Sequence, residues 1–557
     1  MDPTSFTAVL CLSLSLLSVY AFVIYPAFVS PLAKVPNAHW SAPYCSLWII
    51  WIRYKRRANR TLNAAHLKHG PLIRLGPGEV AVNTIDEGVK VVYNGSFEKP
   101  TWYSFFANYG LPPMFATLTT KAHGDRRRLL SNAYAKNTII GSDAHKRHAS
   151  EILHRRMLPL LADASRSERP VDVFQLWSGT AMDFITAWQF GLNASTNYIQ
   201  DPAACAQYID WYQGRRPHNF WAQDMRFVSQ WVHRIFRYRL VPLWVQNANV
   251  ELEADCLSHI QSANQQWREL GTDYLKDATV FPALSKALGT ATNAGPRSKG
   301  DIEKAELMVA SEMMDHLGAG HETTGITMTY LTWELSRRPE MQQRLRDEIA
   351  HLDLYLPVIN KDTKPRLPDL KHLGDLPFLN SIIMETVRLH NAVAGSQPRL
   401  APAQGCTLVG RRIPGGTQVS AQAYSLHRNE EAFPDPEQWN PDRWIGEKAD
   451  LELQNKWFWG FSSGGKMCVG SNFAMNEMKL ILSHVYSNFQ TAVSDDEGID
   501  QPDGYSTGPR SGRLMLSFER IEKHTAFFTL NTGRVISPEL REAMQRSQRS
   551  DEEVTII

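Results

Sequence analysis

The sequence predicts a mainly α-helical fold with small β-sheets. Three observations carry that expectation. From about residue 140 to 350 the apolar residues recur at helical spacing. Within that stretch, "AELMVASEMMDHLGAGHETTGITMTYLTWELSRR", residues 305–338, reads as one long helix, apolar all round through its middle and therefore buried. The β-branched, turn-bounded runs are short and lie outside this region, in 71–95 and in "CTLVGRRIPGGTQVSAQAYS".

Taken along the chain, the first element is an uncharged run from Phe6 to Ser30. Its about 25 residues are enough to cross a hydrocarbon core of roughly 30 Å. The rival reading is a cleaved signal peptide, which wants a basic leader and a shorter apolar core. Lys34, Arg53, Lys55, Arg56 and Arg57 follow the run and place the rest of the chain on the cytosolic side. Pro31, Pro36 and Pro43 make 31–45 read as a stiff hinge. The sequons at Asn59, Asn94 and Asn193 are then expected to stay unmodified. Residues 71–95 read as a short antiparallel sheet. "PEMQQRLRDEI" opens a helix with Pro339 at its start, and "FLNSIIMETVRLH", residues 378–390, is another. "SNFAMNEMKLILSHVYSNF" is an amphipathic helix near the end.

Composition narrows the class. The chain has 557 residues, 43% of them hydrophobic, so a large core is available. A net charge of +2 with no basic block gives no reason to expect a nucleic-acid partner. The six cysteines are scattered without a C-x-x-C pair, which indicates neither a disulfide framework nor a zinc site.

Four constellations carry chemistry. The long helix holds Ala319, Gly320, His321, Glu322, Thr323 and Thr324 together. Glycine and a buried acid are both costly there, so either a ligand approaches the backbone at Gly320 or the site is a kink with a solvated acid. Glu385 and Arg388 are three apart on a helix, which by spacing alone is a surface ion pair; their apolar neighbours hint at burial. "FPDPEQWNPDRW", residues 433–444, is rigid and irregular, and its Arg443 is able to reach a buried carboxylate. Last comes "FSSGGKMCVG", residues 461–470. Gly464 and Gly465 permit unusual backbone conformations, and Gly470 lets the chain turn into a helix. Cys468 then sits at a helix start, where free N–H groups favour thiolate, beneath the aromatic cover of Phe461. It is a candidate ligand for a soft or borderline metal or a nucleophile.

Together these motifs resemble those of the cytochrome P-450 family of haem-thiolate monooxygenases, in its microsomal fungal type. F-x-x-G-x-[basic]-x-C-x-G matches "FSSGGKMCVG" and A-x-x-E matches Ala474–Glu477. The pattern [AG]-G-x-[DE]-T-[TS] matches "AGHETT", and E-x-x-R matches Glu385–Arg388, with Arg443 as its partner. The resemblance implies a cytochrome P-450 fold over 46–521 behind an anchor at 1–30 and a hinge at 31–45. It leaves 522–557 as an extension of unknown role. It implies haem b (iron protoporphyrin IX) with Cys468 as axial ligand to the iron. Glu322 and Thr323 become an acid–alcohol pair that delivers protons to dioxygen, with Gly320 opening room. Glu385, Arg388 and Arg443 become a structural triad. His123, Arg127, Arg399 and Lys466 become contacts to the haem propionates, although lysine at 466 replaces the usual arginine and offers a point charge rather than a fork. Phe461 and Gly470 belong to the same cofactor site.

The same resemblance implies a single-pass enzyme of the endoplasmic reticulum membrane with a cytosolic catalytic domain. Its electrons come from NADPH through a separate cytochrome P-450 reductase, because the chain has no flavin or nicotinamide motif. Arg126, Arg128 and Lys466 are candidates for docking that reductase. Residues 101–118 fall where the family contacts substrate. Their Trp102, Tyr103, Phe105, Phe106, Tyr109, Met114 and Phe115 suit a lipophilic small molecule. Trp211, Trp221, Trp231 and Trp244 lie among arginines in a segment that reads as a membrane-touching flap or as plain amphipathic helices. The motif style is that of fungal enzymes oxidising secondary metabolites such as terpenoids, polyketides or alkaloid-like scaffolds. The rival functions are a haem-thiolate isomerase or dehydratase that does not use O2, and a non-catalytic haem sensor.

Overall fold

In the computed structural model the described residues are 3–95, 97–290, 299–360, 362–364 and 366–522. The expected extension at 522–557 thus lies almost wholly outside them. Helix α1 (Pro3–Val19) runs on as helix through Tyr20–Val29. Val9–Val29 is long and apolar enough to cross a membrane, and none of it is buried in protein. The 31–45 stretch that follows is packed rather than free. Leu32, Val35 and Ala42 are buried, the Arg74 N–H donates to the Pro36 carbonyl at 2.7 Å, and the Ala38 N–H donates to that of Arg74 at 2.9 Å.

Helix α2 (Leu47–Tyr54) leads to strands β1 (Leu72–Gly76) and β2 (Glu79–Val82), an antiparallel pair. The antiparallel reading of 71–95 ends there, because Ile85–Asn94 is helical. The reason is periodicity: Ile85, Val89, Val92 and Tyr93 are all buried on one helical face. Strands β4 (Ser396–Leu400) and β7 (Gln418–Gln422) complete a sheet of order β1-β2-β7-β4, with β2 and β7 parallel. Between them β5 (Cys406–Leu408) and β6 (Arg411–Ile413) form a hairpin. A third sheet joins β3 (Val171–Asp172), β9 (Met515–Arg520) and β8 (Phe489–Asp495).

Helix α3 (Thr120–Leu130) precedes α4 (Val173–Phe190), α5 (Pro202–Gly214) and α6 (Arg226–Phe236). Helix α7 (Lys299–Ser336) has 38 residues and is buried through its middle, as its composition requires. It lies directly on α4. A Cβ on Gly325 would fall 2.9 Å from the Ser178 Cα, and one on Gly320 would fall 3.0 Å from Ile185 Cγ1. Gly325 lets the two backbones approach, and Gly320 makes room for the Ile185 side chain. Gly320 therefore has a packing reason, where the sequence suggested room for a ligand. Helices α8 (Pro377–Leu389) and α9 (Ser471–Asn488) close the core from the other side.

Candidate active site

A cavity of about 670 Å³ opens between α7, the cysteine loop and the aromatic stretch after residue 100. Cys468 lines it, two residues ahead of the α9 N-cap Gly470. The Cys468 N–H donates to the Phe461 carbonyl at 3.0 Å, which folds the loop back on itself. Gly464 makes this loop possible: its φ is +69°, and a Cβ there would lie 2.2 Å from the Tyr93 carbonyl oxygen. Gly465 and Gly470 need no such allowance, since neither has a positive φ or a neighbour that a Cβ would strike. The thiol itself departs from the sequence expectation. The residue is exposed to the open cavity, yet desolvation by the surrounding protein pushes the thiol up, while the N–H group of Gly470, the Arg127 guanidinium and the N–H group of Ser471 pull it down without prevailing. Phe461, Lys466 and Gly470 line the same cavity.

Cations converge beside the loop. An Arg127 Nη donates to the Met467 carbonyl at 2.5 Å, and Lys466 Nζ donates to the Phe97 carbonyl at 3.0 Å. Arg399 donates to the Tyr103 hydroxyl at 2.6 Å and lies over the Tyr93 and Tyr103 rings. His123 is buried, and burial followed by the charges of Lys99, Lys466, Arg127 and Arg399 pushes it down to about 3. Burial, then Arg399, pushes Lys466 down to about 8. Lys99 was not singled out by the sequence. It is 3% exposed, and burial together with Arg399 and Lys466 drives it well below the usual lysine range, against the pull of Asp315 and Glu312. Its only sequence signal is position, just before the aromatic stretch. None of Lys99, Arg127, Arg399 and Lys466 forms an ion pair among the described residues.

On the facing wall, Ala319, Gly320, Glu322 and Thr323 all line the cavity. The Thr323 hydroxyl donates back to the Ala319 carbonyl at 2.9 Å. Glu322 is buried, ion-paired with Arg216, and accepts from the Tyr212 hydroxyl at 3.2 Å. Burial works against its charge, but Arg216 and His321 hold it below the ordinary value. The kink with a solvated acid is therefore excluded. Arg216, 106 residues away, carried no sequence signal.

Glu385 and Arg388 are fully enclosed, with two bonds of 2.8 Å between them, and Arg443 adds one of 3.0 Å. The surface-pair reading fails because His427, Pro436 and Gln438 carbonyls cap the Arg388 guanidinium. Of the aromatic stretch, Trp102, Phe105, Phe106, Met114 and Phe115 line the cavity. Tyr103 is core, and the Tyr109 hydroxyl is bound to the Glu253 carbonyl. The stretch is fastened to α7: Glu312 accepts from the Met114 N–H at 2.9 Å, and the Ser311 hydroxyl donates to the Leu111 carbonyl at 2.8 Å. Arg126 pairs with Glu312 and Lys466 turns inward, so of the three docking candidates only Arg128 is exposed, where it pairs with Asp125. Trp231 and Trp244 are exposed, whereas Trp211 packs against the core.

Comparison with known proteins agrees with this arrangement. The chain is 25% identical to a cytochrome P450 monooxygenase, orf2, of Aspergillus niger, over 89% of this chain and 94% of that protein. It is 28% identical to the cytochrome P450 monooxygenase avaI of Aspergillus versicolor over 74% and 94%. It is 25% identical to the tryprostatin B 6-hydroxylase of Neosartorya fischeri over 86% and 80%. The family described as Cytochrome P450 matches residues 42–515. With that span taking in the cavity, its thiol loop and the enclosed Glu385 cluster, the chain belongs to the cytochrome P450 family.

Proposed function

We propose that this protein is a membrane-anchored monooxygenase that oxidises a lipophilic small molecule of fungal secondary metabolism. It draws NADPH electrons from a separate reductase at the endoplasmic reticulum. The observation that carries the reading is the cavity itself, in which one thiol faces the Ala319–Thr323 wall across a space edged by Lys99, Arg127 and Lys466, none of them ion-paired among the described residues.

Family membership implies a haem, and the residues present fit one. A haem carries two carboxylates, and Lys99, Arg127, Arg399 and Lys466 supply cations that lack carboxylate partners among the described residues. Cys468 is the one cysteine lining the cavity among the described residues, and it would hold the haem iron as a thiolate, coordination deprotonating a thiol that is otherwise pushed up. When bound, a thiolate-ligated haem supplies dioxygen activation. The chain's own residues do the rest. Thr323 Oγ holds a proton at the wall, and Glu322, held as a carboxylate by Arg216, would relay a replacement proton to it by first taking one up from solvent. Trp102, Phe105, Phe106 and Phe115 exclude water and hold an apolar substrate.

The apolar helix ending at Val29 supports the anchor. So do the exposed apolar residues of α2 and α6, among them Leu47, Trp51, Phe227 and Phe236. Tyr54 packs on Phe220 and Trp221, which puts α2 and the stretch before α6 on one surface.

The test is the carbon monoxide spectrum of the reduced protein. Wild type shows the thiolate signature and Cys468→Ala loses it; an unchanged spectrum overturns the assignment. With reductase, NADPH and labelled O2, product carries one labelled oxygen. A product without it removes the monooxygenase reading and leaves a rearrangement enzyme. Thr323→Ala keeps the haem spectrum and diverts reducing equivalents to peroxide.

A further inference from the structure

Helix α7 carries four buried or half-buried acids along its inner length, and three are answered by partners. Glu312 meets Arg126 and the Met114 N–H, Glu322 meets Arg216, and Glu334 meets Arg338 and His390. Asp315 differs. It lines the cavity and its carboxylate makes no hydrogen bond or ion pair among the described residues. An unpaired acid on an apolar helix costs stability, which calls for a partner that arrives from outside.

The groups facing Asp315 are known. Its own helix presents Glu312 and His316; the segment before the aromatic stretch presents Lys99; Tyr134 and Tyr505 complete the surround. His316 is occupied by the Tyr134 hydroxyl at 2.9 Å. Lys99 is directed elsewhere, its ammonium donating to the Phe115 carbonyl at 2.5 Å. It also belongs to the cation cluster assigned above to the haem carboxylates. Aromatic surface adjoins the same end of the cavity. Phe115 follows Met114, whose N–H is tied to Glu312, and the Phe106 and Phe115 rings meet edge to face at 5.0 Å. A carboxylate in a cavity lined by aromatic rings matches a positive charge on an apolar body.

We propose that Asp315 is a specificity-determining residue that binds a cationic nitrogen of the substrate, so that the enzyme selects lipophilic ammonium compounds over neutral molecules of the same shape. This deepens, and rests on, the reading of the cavity as a substrate site. The helix also sets a distance. Asp315, Ala319, Thr323 and Thr327 recur every fourth residue and all line the cavity. The rise of a helix puts Ala319 about 6 Å and Thr323 about 12 Å beyond Asp315 along the axis. The oxidised carbon then lies on the order of 6–12 Å from the nitrogen. Burial, then the neighbouring Glu312, pushes Asp315 up to about 7. Only its ionised form attracts a cation, so selection weakens as pH falls below that value.

The test uses purified holoenzyme and a matched pair of probes, 4-phenylbutyl-trimethylammonium and its tert-butyl carbon isostere. A quaternary nitrogen has no lone pair, so it cannot ligate iron. Titration calorimetry, which needs no haem signal, should show wild type preferring the cation by about tenfold or more at pH 8. Asp315→Asn should abolish that preference while binding the neutral probe within about twofold, and Asp315→Glu should restore it. Equal binding of the two probes by wild type, or a preference that survives in Asp315→Asn, overturns the proposal. The carbon monoxide spectrum of each variant is read separately. Loss of the thiolate signature in wild type refutes the haem reading without touching the probe comparison.

Discussion

Glu385 accepts five hydrogen bonds inside the protein: two from Arg388, one from Arg443, one from the Asn440 N–H and one from the Trp444 indole. Removing the charge strands two guanidiniums, one of them fully enclosed. Glu385→Gln should therefore cost about 3–5 kcal/mol, measured by denaturant unfolding. The acid side of the stability curve should change as well. Burial opposes the charge, but Arg388 and Arg443 hold Glu385 below its ordinary 4.5. The unfolded chain thus takes up this proton at a higher pH than the folded protein does. The stabilisation is complete above about 4.5 and is lost as pH falls through the depressed value. That step should be missing from the stability profile of Glu385→Gln, and a profile parallel to wild type would refute the account. At this scale the sequence was informative where partners sit three residues apart, as in Glu385–Arg388. It was silent on Arg216, because its partner Glu322 lies far along the chain and no local pattern marks a tertiary ion pair, and on Lys99, whose bond to the Phe115 carbonyl is equally unmarked.

At the scale of elements, the contact of α4 with α7 depends on missing side chains. Gly325→Ala places a methyl group within 3.1 Å of Ser178 backbone nitrogen and 2.9 Å of its Cα. Backbone cannot swing aside as a side-chain tip does, so the cost should be about 1–3 kcal/mol. Gly141→Ala, where nothing lies within 4 Å, is the control and should change stability by less than about 1 kcal/mol. Thermal unfolding of the two variants checks this. The fastening of the aromatic stretch is separable from stability of the whole. Glu312→Gln should weaken ligand binding by roughly 1–3 kcal/mol through a loosened Met114 N–H, while the thiolate signature persists. Long helices were legible because their apolar spacing is regular over many turns. Ile85–Asn94 was not, since valine-rich text of that length suits either period until tertiary packing chooses a face. The glycines of "AGHETTG" were visible as anomalies, but only Ile185 and Ser178 across the interface show which surface needed them.

At the scale of the whole molecule, the 31–45 stretch belongs to the folded body. A chain cut to begin at residue 31 keeps Leu32, Val35 and Ala42 in the core; one cut to begin at 46 loses them. Each large aliphatic contributes about 1.5–3 kcal/mol, so the shorter chain should melt several degrees lower. Equal melting temperatures would show that the stretch is dispensable. The prolines there announced stiffness, but a sequence does not say what a stiff segment leans on. Here it leans on Arg74, which is itself fully buried and reaches back with one Nη to the Pro26 carbonyl at 2.7 Å, inside the apolar helix. The same guanidinium holds the Gly76 and Pro77 carbonyls at 3.1 and 3.0 Å. A tether would let its load swivel; this joint behaves as a bracket. The cavity then has a fixed bearing relative to the apolar helix, so that if this helix is the proposed anchor, its mouth would be held at one set latitude instead of sampling many.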